Sequence, residues 1–200
     1  GGNGDGVRID EKYKGGVRIS GMGAFKGDKF IGWLNEKETR GFGFITGKKM
    51  TAYKVSLKPE VTDPADILYF RLNKSGGKIK VKIVNDEPII SVDVSVTAEL
   101  RKYYSGKGSD FLSPEEIKII EQSLTSSIRS DIQAALSRGQ SELQSDIFGF
   151  GFAFFREYPV FWKSEYEKIW PDIYPDLPVQ VTVKTKVINT GTNIRQFKAR

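Results

Sequence analysis

The feature that most constrains the fold is the run IISVDVSVTAEL at residues 89–100, where apolar and polar side chains alternate without a break from Ile90 onward. One face of the run is aliphatic and comprises Ile90, Val92, Val94, Val96, Ala98 and Leu100. The other face is polar and comprises Ser91, Asp93, Ser95, Thr97 and Glu99. A period of two with one apolar face is typical of an antiparallel sheet that buries one side and exposes the other.

Six other segments predict strands around this run. They are VRISGMGAF (17–25), KFIGWL (29–34), MTAYKVSL (50–57), ILYFRLNK (67–74), KIKVKIV (78–84) and VQVTVKTKVI (179–188). Turn signals separate several of them, namely Gly27-Asp28, Ser75-Gly76-Gly77, which is expected to close the strand before it, and NDEP at 85–88. VTDPAD at 61–66 predicts a loop. Because the runs follow one another at short spacing, they favour a meander.

A long helix is predicted after the sheet. Ser113-Pro114-Glu115-Glu116 combines a cap residue, a proline at the first position and acids near the positive end of the helix dipole. The helix is expected to run to about Ser145, with Gly139 weakening its middle. Its apolar stripe has helical spacing, indicates a core face, and comprises Ile117, Ile120, Leu124, Ile128, Ile132, Leu136 and Leu143.

Two shorter helices are predicted on either side of these elements. Asn35 is expected to cap a helix over EKETRGFGF, with Glu38 completing a capping box and TGKK marking the helix end. WKSEYEKIW (162–170) predicts an amphipathic helix that ends at Pro171. The chain therefore predicts an α+β fold, in which an antiparallel β-sheet is packed by one long and one or more shorter α-helices.

The 200 residues suit one ordinary domain with a sizeable core. We assign residues 15–190 to a single α+β domain. The glycine-rich start, residues 1–14, predicts a linker or an expression boundary, and residues 191–200 predict a flexible tail.

The octapeptide RGFGFITG (Arg40 to Gly47) is close to the aromatic motif of RNA-recognition domains, in which two aromatic rings on a central strand stack on bases. The net charge of +6 and a pI near 9.3 are compatible with an anionic partner. However, the order of elements that such a domain requires is missing before Arg40, and the local context predicts a helix. We therefore expect Phe42 and Phe44 to be core anchors, Gly41 to allow close packing, and no nucleic acid to bind.

The composition also limits catalysis. The chain has no Cys and no His, which removes thiol chemistry, disulfides, the usual zinc sites and every His-dependent triad. The carboxylate pairs Glu36/Glu38 and Glu115/Glu116 are better explained by helix capping than by acid-base chemistry. DPAD (63–66) and NDE (85–87) lack the spacing of a calcium loop. We predict no enzyme activity, no cofactor and no metal.

Three blocks of sequence resemble one family. AFKGDKFIGWLNEKETRGFGFITGK (24–48), SDIFGFGFAFFREYPVFWK (145–163) and IWPDIYPDLPVQVTVKTKVINTG (169–191) are similar, in this order, to signature segments of the Ger(x)C proteins. These are the lipoprotein C subunits of bacterial spore nutrient germinant receptors. One departure is the Phe-Gly-Phe at residues 42–44, where relatives often carry Leu-Leu-Trp or similar residues.

The resemblance implies that residues 15–190 are the C-terminal domain of a larger lipoprotein, a non-enzymatic subunit that supports receptor assembly and germination signalling. It implies two integral-membrane partners, the A and B subunits, and a position on the outer face of the spore inner membrane, held by a lipid anchor upstream of these residues. Direct binding of a nutrient ligand stays open as an alternative, as does RNA binding through the RGFGFITG aromatics.

Two sets of residues are candidates for function. The first is a predicted partner-binding surface of Trp33, Leu34, Asn35, Glu38, Thr39 and Arg40, because Trp and Arg are favoured in interface hot spots. Its structural alternative is a turn in which Asn35 caps, Glu38 returns the bond and Arg40 pairs with a carboxylate. The second set is Asp146, Phe148, Gly149, Phe150 and Gly151. There Asp146 is expected to cap or pin the segment, and the glycines to let a helix approach the sheet.

Overall fold

The computed structural model describes residues 7–8, 18–19, 21–48, 50–56, 67–85, 87–104 and 113–188. Its contacts divide the chain into two compact units. The first unit comprises residues 1–42, 80–90 and 131–179, and the second comprises residues 43–79, 91–130 and 180–200. The predicted VTDPAD loop, most of the predicted linker at 1–14 and the predicted tail at 191–200 lie outside the described residues.

The described residues form an α+β arrangement of strands and helices, which confirms the predicted class. The strands are β1 (Val7–Arg8), β2 (Arg18–Ile19), β3 (Met22–Lys26), β4 (Lys29–Leu34), β5 (Ala52–Ser56), β6 (Ile67–Val84), β7 (Glu87–Tyr104) and β8 (Val179–Ile188). The α-helices are α1 (Glu36–Thr46), α2 (Pro114–Ser137), α3 (Phe150–Glu157), α4 (Pro159–Phe161) and α5 (Trp170–Ile173).

Three groups of strands are present in this part of the chain. β1 pairs with β2, β3 with β4, and β5 with β6, each in antiparallel register. The largest sheet has the order β5-β6-β7-β8, so its first three strands follow chain order as the predicted meander requires.

Strand β6 corrects one prediction, because Ser75-Gly76-Gly77 does not end a strand. β6 runs without interruption from Ile67 to Val84. A Cβ on Gly77 would lie 2.1 Å from the Phe44 carbonyl oxygen and 2.5 Å from that of Ile45, so the glycine lets the strand pass close to the end of α1. The predicted NDEP turn is also shorter than expected. Asn85 makes the turn with φ 53°, and β7 already begins at Glu87.

The alternating apolar face of β7 is buried throughout. From Ile90 to Leu100, every second side chain of β7 is at most 4% exposed. From Val92 to Leu100 this face lies in the second unit, together with buried apolar side chains of β5, β6, β8 and α2, which are Tyr53, Val55, Leu68, Phe70, Leu72, Ile120, Leu124, Ile128, Val183 and Val187. Burying each such side chain contributes about 1.5–3 kcal/mol. These residues form the core of the second unit.

Helix α2 begins as predicted and ends earlier. The Glu116 amide donates to Ser113 Oγ at 3.2 Å, and the Ser113 amide donates to Glu116 Oε2 at 2.7 Å, which completes a capping box. The α-helix stops at Ser137 and widens into a π-helical turn, Arg138–Glu142. Gly139 is buried inside this turn, where a Cβ would lie 2.7 Å from the Phe148 ring. The glycine therefore serves close packing at the place where the helix changes character.

The segment WKSEYEKIW does not form the predicted helix that ends at Pro171. α4 leads into a π-helical turn, Trp162–Tyr166, and a separate helix, α5, begins at Trp170. Pro171 lies in the first turn of α5, where the missing amide proton has no intrahelical acceptor to lose. Among the described residues, no helix is both long enough and apolar enough to cross a bilayer.

Candidate functional site

Strands β3 and β4 form a hairpin whose register brings aromatic residues together. Gly27 and Asp28 make the predicted turn, so Phe25 pairs with Phe30 across the strands. The register then shifts, because Ala24 pairs with Gly32 and leaves Ile31 as an extra residue. Such a β-bulge changes the face to which the following side chains point. It explains why Phe30 and Trp33, three positions apart, lie on the same side.

Phe25, Phe30 and Trp33 form what we call the hairpin aromatic face. The ring centroids of Phe25 and Phe30 are 5.6 Å apart at 70°, and those of Phe30 and Trp33 are 5.1 Å apart at 59°. The three side chains are 59%, 44% and 49% exposed, in that order. Gly23 lies beneath all three rings, since a Cβ there would be 3.3–3.6 Å from each of them. Sequence reasoning selected only Trp33 of this group.

The opposite side of the hairpin is fixed to the rest of the first unit. Ala24 and Leu34 are buried there. Arg138 Nε donates a hydrogen bond to the Trp33 carbonyl oxygen at 3.1 Å. A Cβ on Gly32 would lie 2.9 Å from Leu143 Cδ2, so the Leu143 side chain packs directly over the Gly32 backbone. These contacts hold the backbone while the rings face away from it.

The predicted capping box at the start of α1 is present. The Glu38 amide donates to Asn35 Oδ1 at 3.0 Å, and the Asn35 amide donates to Glu38 Oε2 at 2.8 Å. Thr39 Oγ1 donates to the Leu34 carbonyl oxygen at 3.3 Å. Leu34 itself is only 1% exposed. Four members of the predicted partner-binding set therefore make local structural contacts.

Arg40 also has a structural environment. Its Nε donates to Asp131 Oδ2 at 2.7 Å, its Nη2 to Asp131 Oδ1 at 3.3 Å, and its Nη1 to Glu36 Oε1 at 3.1 Å. Asp131 is 3% exposed, and a two-point contact with a guanidinium is the arrangement that best compensates a buried carboxylate. A Cβ on Gly41 would lie 2.0 Å from the Asp131 carbonyl oxygen. Arg40 and Gly41 thus allow α1 to lie directly against Asp131.

The octapeptide RGFGFITG lies on α1 and the turn that follows, and not on a strand. Phe44 is 1% exposed and contacts the Tyr53 ring at 5.7 Å. Phe42 is half-buried and contacts the Phe148 ring at 5.9 Å, so α1 touches a member of the second candidate set. Two residues apart on a helix, these rings point to different sides and do not form a stacking surface. The RNA-binding alternative therefore has no support.

Asp146 caps α3 through its carboxylate. Oδ1 accepts a hydrogen bond from the Phe150 amide at 2.9 Å, and Oδ2 accepts from the Gly151 amide at 2.6 Å. Oδ2 also accepts from Trp170 Nε1 at 3.1 Å. Gly149, the residue directly before α3, has φ 76°, a conformation that favours glycine. The carboxylate joins the start of α3 to α5.

Gly151 approaches aromatic rings instead of the predicted sheet. A Cβ there would lie 2.7 Å from Trp170 Nε1 and 2.9 Å from Trp162 Cη2. Both rings belong to what we call the helical aromatic cluster, which comprises Phe154, Tyr158, Phe161, Trp162, Tyr166 and Trp170. Phe154 is its centre, fully buried, with the other five centroids 5.0–6.3 Å away.

Tyr174 has a buried polar group in the first unit, its side-chain hydroxyl. Its side chain is 1% exposed, and its hydroxyl has no hydrogen-bond partner among the described residues. Burial, and secondarily the negative charge of Asp146, raise the pKa of the Tyr174 hydroxyl well above its usual range. The hydroxyl therefore stays protonated and contributes no acid-base chemistry near neutral pH.

Three of the four candidate carboxylates of an active site make structural contacts. Glu38 and Glu116 belong to capping boxes, and Glu36 pairs with Arg40. Within the described ranges, no group of three or more acidic, His or Cys side chains could hold a metal ion. The arrangement offers an exposed aromatic surface on a fixed support, which is suited to binding more than to a reaction.

Comparison with known proteins identifies relatives of this chain. Spore germination protein YndF of Bacillus subtilis (strain 168) is 24% identical over 181 residues, which cover 90% of this chain and 42% of that protein. Spore germination protein B3 of the same organism is 23% identical over 188 residues, covering 93% of this chain and 48% of that protein. The chain thus spans less than half the length of these curated relatives.

A solved structure and a family model agree with these relatives. The crystal structure of the GerBC protein matches with a TM-score of 0.71 at 20% identity, over 88% of this chain and 53% of that one, which shows a shared fold. The family model described as "Spore germination B3/ GerAC like, C-terminal" matches residues 20–191. Since this match covers most of the chain and follows the same blocks that carried the resemblance, the chain belongs to the spore germination B3/GerAC-like C-terminal family.

Proposed function

We propose that the chain is part of a non-enzymatic subunit of a spore nutrient germinant receptor, which supports receptor assembly and germination signalling at the spore inner membrane. The observation that carries this proposal is the family match over residues 20–191, together with relatives named as spore germination proteins. The engaged carboxylates and the lack of His and Cys support a role without catalysis. Neither RNA binding nor direct nutrient binding has comparable support.

The partners that we propose are the integral-membrane A and B subunits of the receptor. A lipid anchor upstream of these residues would hold the full-length protein on the outer face of the spore inner membrane. This part of the proposal rests on the resemblance of the three sequence blocks, since the chain covers 42–48% of the two relatives.

We propose that the predicted partner-binding set acts in assembly mainly by positioning. Leu34 is buried, Asn35 and Glu38 cap α1, and Arg40 binds Asp131. These contacts fix the direction in which the chain passes from β4 into α1. They thereby also position the residues that the first unit exposes around this junction. Trp33 is the member whose side chain is most available for direct contact, being 49% exposed.

The test is co-purification of the A and B subunits with tagged full-length protein from detergent-solubilised spore membranes. We expect the wild type to recover both subunits. Arg40→Ala is expected to recover less of them, because it releases α1 from Asp131. Lys37→Ala, at an exposed position of the same helix, is the matched control and is expected to behave as wild type.

Recovery of neither subunit by the wild type would contradict the receptor proposal. Normal recovery by folded Arg40→Ala would contradict the positioning role and leave the receptor proposal intact. Nutrient-induced germination of spores carrying each variant gives the corresponding measure of signalling.

A further inference from the structure

The tip of the β3–β4 hairpin is exposed along its whole length. Each residue from Phe25 to Phe30 is exposed, and a Cβ on Gly27 would have no neighbour within 4 Å. The tip is therefore a protrusion. Binding sites for small molecules are concave, so this shape is unsuited to holding a nutrient-sized ligand.

The ring geometry narrows the kind of partner further. Nucleic-acid bases and sugar rings bind to aromatic side chains by stacking face to face on them. Phe25, Phe30 and Trp33 are instead inclined to each other by 70° and 59°, so they share no common plane. Inclined rings form a continuous apolar surface, which suits partition into an apolar or interfacial medium.

The rings are also held outward. Leu143 lies over Gly32, and Arg138 binds the Trp33 carbonyl oxygen on the other side of the hairpin. The bulge at Ala24 and Phe25 sets Phe30 and Trp33 on the same face. Burial of these rings against the chain's own first unit would require the hairpin to leave these contacts. The exposed apolar surface is thus a fixed feature of the fold.

The charges around the rings favour an anionic partner. Lys26 and Lys29 pair across the strands directly beside the turn, and both are exposed. Asp28 is the acid within the turn. The next acids along the chain are engaged, Glu36 with Arg40 and Glu38 in the capping box. The chain as a whole carries a net charge of +6.

We propose that this hairpin tip binds the surface of an anionic phospholipid bilayer. Trp and Phe side chains concentrate at the level of the lipid headgroups, where an apolar ring and a polar environment are both available. Lys26 and Lys29 lie between Phe25 and Phe30 at the turn, so their long side chains would reach lipid phosphates when the tip lies on a bilayer. The contact is small, so binding by this tip alone is weak, reversible and sensitive to salt. The proposal does not depend on receptor membership.

The experiment measures binding of the chain to vesicles of phosphatidylcholine alone and of phosphatidylcholine mixed with phosphatidylglycerol, by co-sedimentation. We expect binding to the mixed vesicles that decreases at high salt, and little binding to the neutral ones. Phe25→Ser combined with Phe30→Ser is expected to weaken binding at least about tenfold. Replacing Lys26 and Lys29 by Gln is expected to weaken it about fivefold per lysine.

The matched control is Phe152→Ser on α3, which removes a ring that is 67% exposed elsewhere in the first unit. We expect it to bind as wild type. Trp33 supplies a second measurement, independent of the stability of the variants. Its emission in the wild-type protein should shift to shorter wavelength on mixed vesicles and be quenched by lipids brominated on the acyl chain, and Trp33→Phe should lose this response.

Wild-type binding by the folded Phe25→Ser, Phe30→Ser variant would overturn the proposal. So would an absent Trp33 response on vesicles that bind the chain. If the wild type binds no vesicle, while the hairpin variants fail to co-purify with the receptor subunits, the aromatic face contacts protein and the lipid proposal is wrong.

Discussion

The hairpin aromatic face and the helical aromatic cluster are built from similar ring contacts, yet they differ in burial. In the hairpin, Phe30 contacts its neighbours at 5.1–5.6 Å and remains 44% exposed. In the cluster, Phe154 contacts its neighbours at 5.0–6.3 Å and is fully buried. Ring-to-ring geometry alone therefore does not tell which aromatic residues stabilise the fold. The area removed from water does.

The difference has a cause in the neighbouring residues. In the cluster, Gly151 and Asp146 bring α3 close to Trp170, and the rings enclose Phe154. In the hairpin, the supporting residues Arg138 and Leu143 both contact one side of the strand pair, and the rings occupy the other side. In the helical aromatic cluster, the aromatic side chains complete a buried core. In the hairpin, buried contacts on one side leave the aromatic side chains exposed on the other.

The largest expected effect is at the centre of the cluster. Phe154→Ala removes a ring that five others surround, and we expect it to lower the free energy of unfolding by about 3–5 kcal/mol. Chemical denaturation of both proteins measures the difference. Phe152→Ala, two positions earlier on the same helix and 67% exposed, is the control, with an expected change within about 0.5 kcal/mol. Equal losses for the two variants would refute the contrast in burial.

A smaller loss is expected when the cluster loses its polar anchor. Asp146→Ala removes the acceptor of three hydrogen bonds, two from the start of α3 and one from Trp170 Nε1. We expect the free energy of unfolding to fall by about 1–3 kcal/mol, because partly buried donors lose their partner and α3 loses its cap. Asp176→Ala, at an exposed position, serves as the control. An unchanged denaturation midpoint for Asp146→Ala would show that the cap is dispensable.

Several structural features of the chain could be predicted from the sequence, because local patterns determine them. Alternation identified the buried face of β7, and the spacing of Asn35 and Glu38 identified the capping box. The turn at Gly27-Asp28 would also have placed Phe25 opposite Phe30, had cross-strand pairing been followed outward from the turn.

Other features depend on contacts between distant residues and leave no local signal. The bulge that aligns Phe30 with Trp33 becomes visible only in the strand register. Gly77 resembled a turn, although its role is to let β6 pass the carbonyl groups of Phe44 and Ile45. Asp131 binds Arg40 from 91 positions away, so neither residue could be assigned a partner.

Tyr174 lies at the border of the helical aromatic cluster, and a substitution there is expected to change stability in the opposite direction. Its buried hydroxyl has no partner in the part of the chain that the structure describes, so Tyr174→Phe is expected to keep or raise stability at neutral pH, by up to about 1 kcal/mol. Burial and Asp146 raise the pKa of this hydroxyl in the folded protein. Above pH about 10 the unfolded chain therefore releases this proton while the folded chain retains it, and stability falls as pH rises.

The measurement is the free energy of unfolding as a function of pH, from neutral to alkaline, for the wild type and Tyr174→Phe. In the variant, the decline above pH about 10 should be shallower by about 1.4 kcal/mol per pH unit, the contribution of one group. Parallel curves for wild type and Tyr174→Phe would mean that the hydroxyl has the same pKa in both states.

The smallest effect on stability is expected at Trp33, although it is the largest side chain of the hairpin aromatic face. About half of the ring is already in water, and its backbone is held by Arg138 and by the Gly32 contact, neither of which needs the indole. Trp33→Ala should therefore lower the free energy of unfolding by less than about 1 kcal/mol, against about 3–5 kcal/mol for Phe154→Ala. The remaining emission, from Trp162 and the buried Trp170, should lie at shorter wavelength than that of the wild type. A loss at Trp33 as large as that at Phe154 would mean that the hairpin rings hold the fold together, and their exposure would then no longer mark a surface kept for a partner.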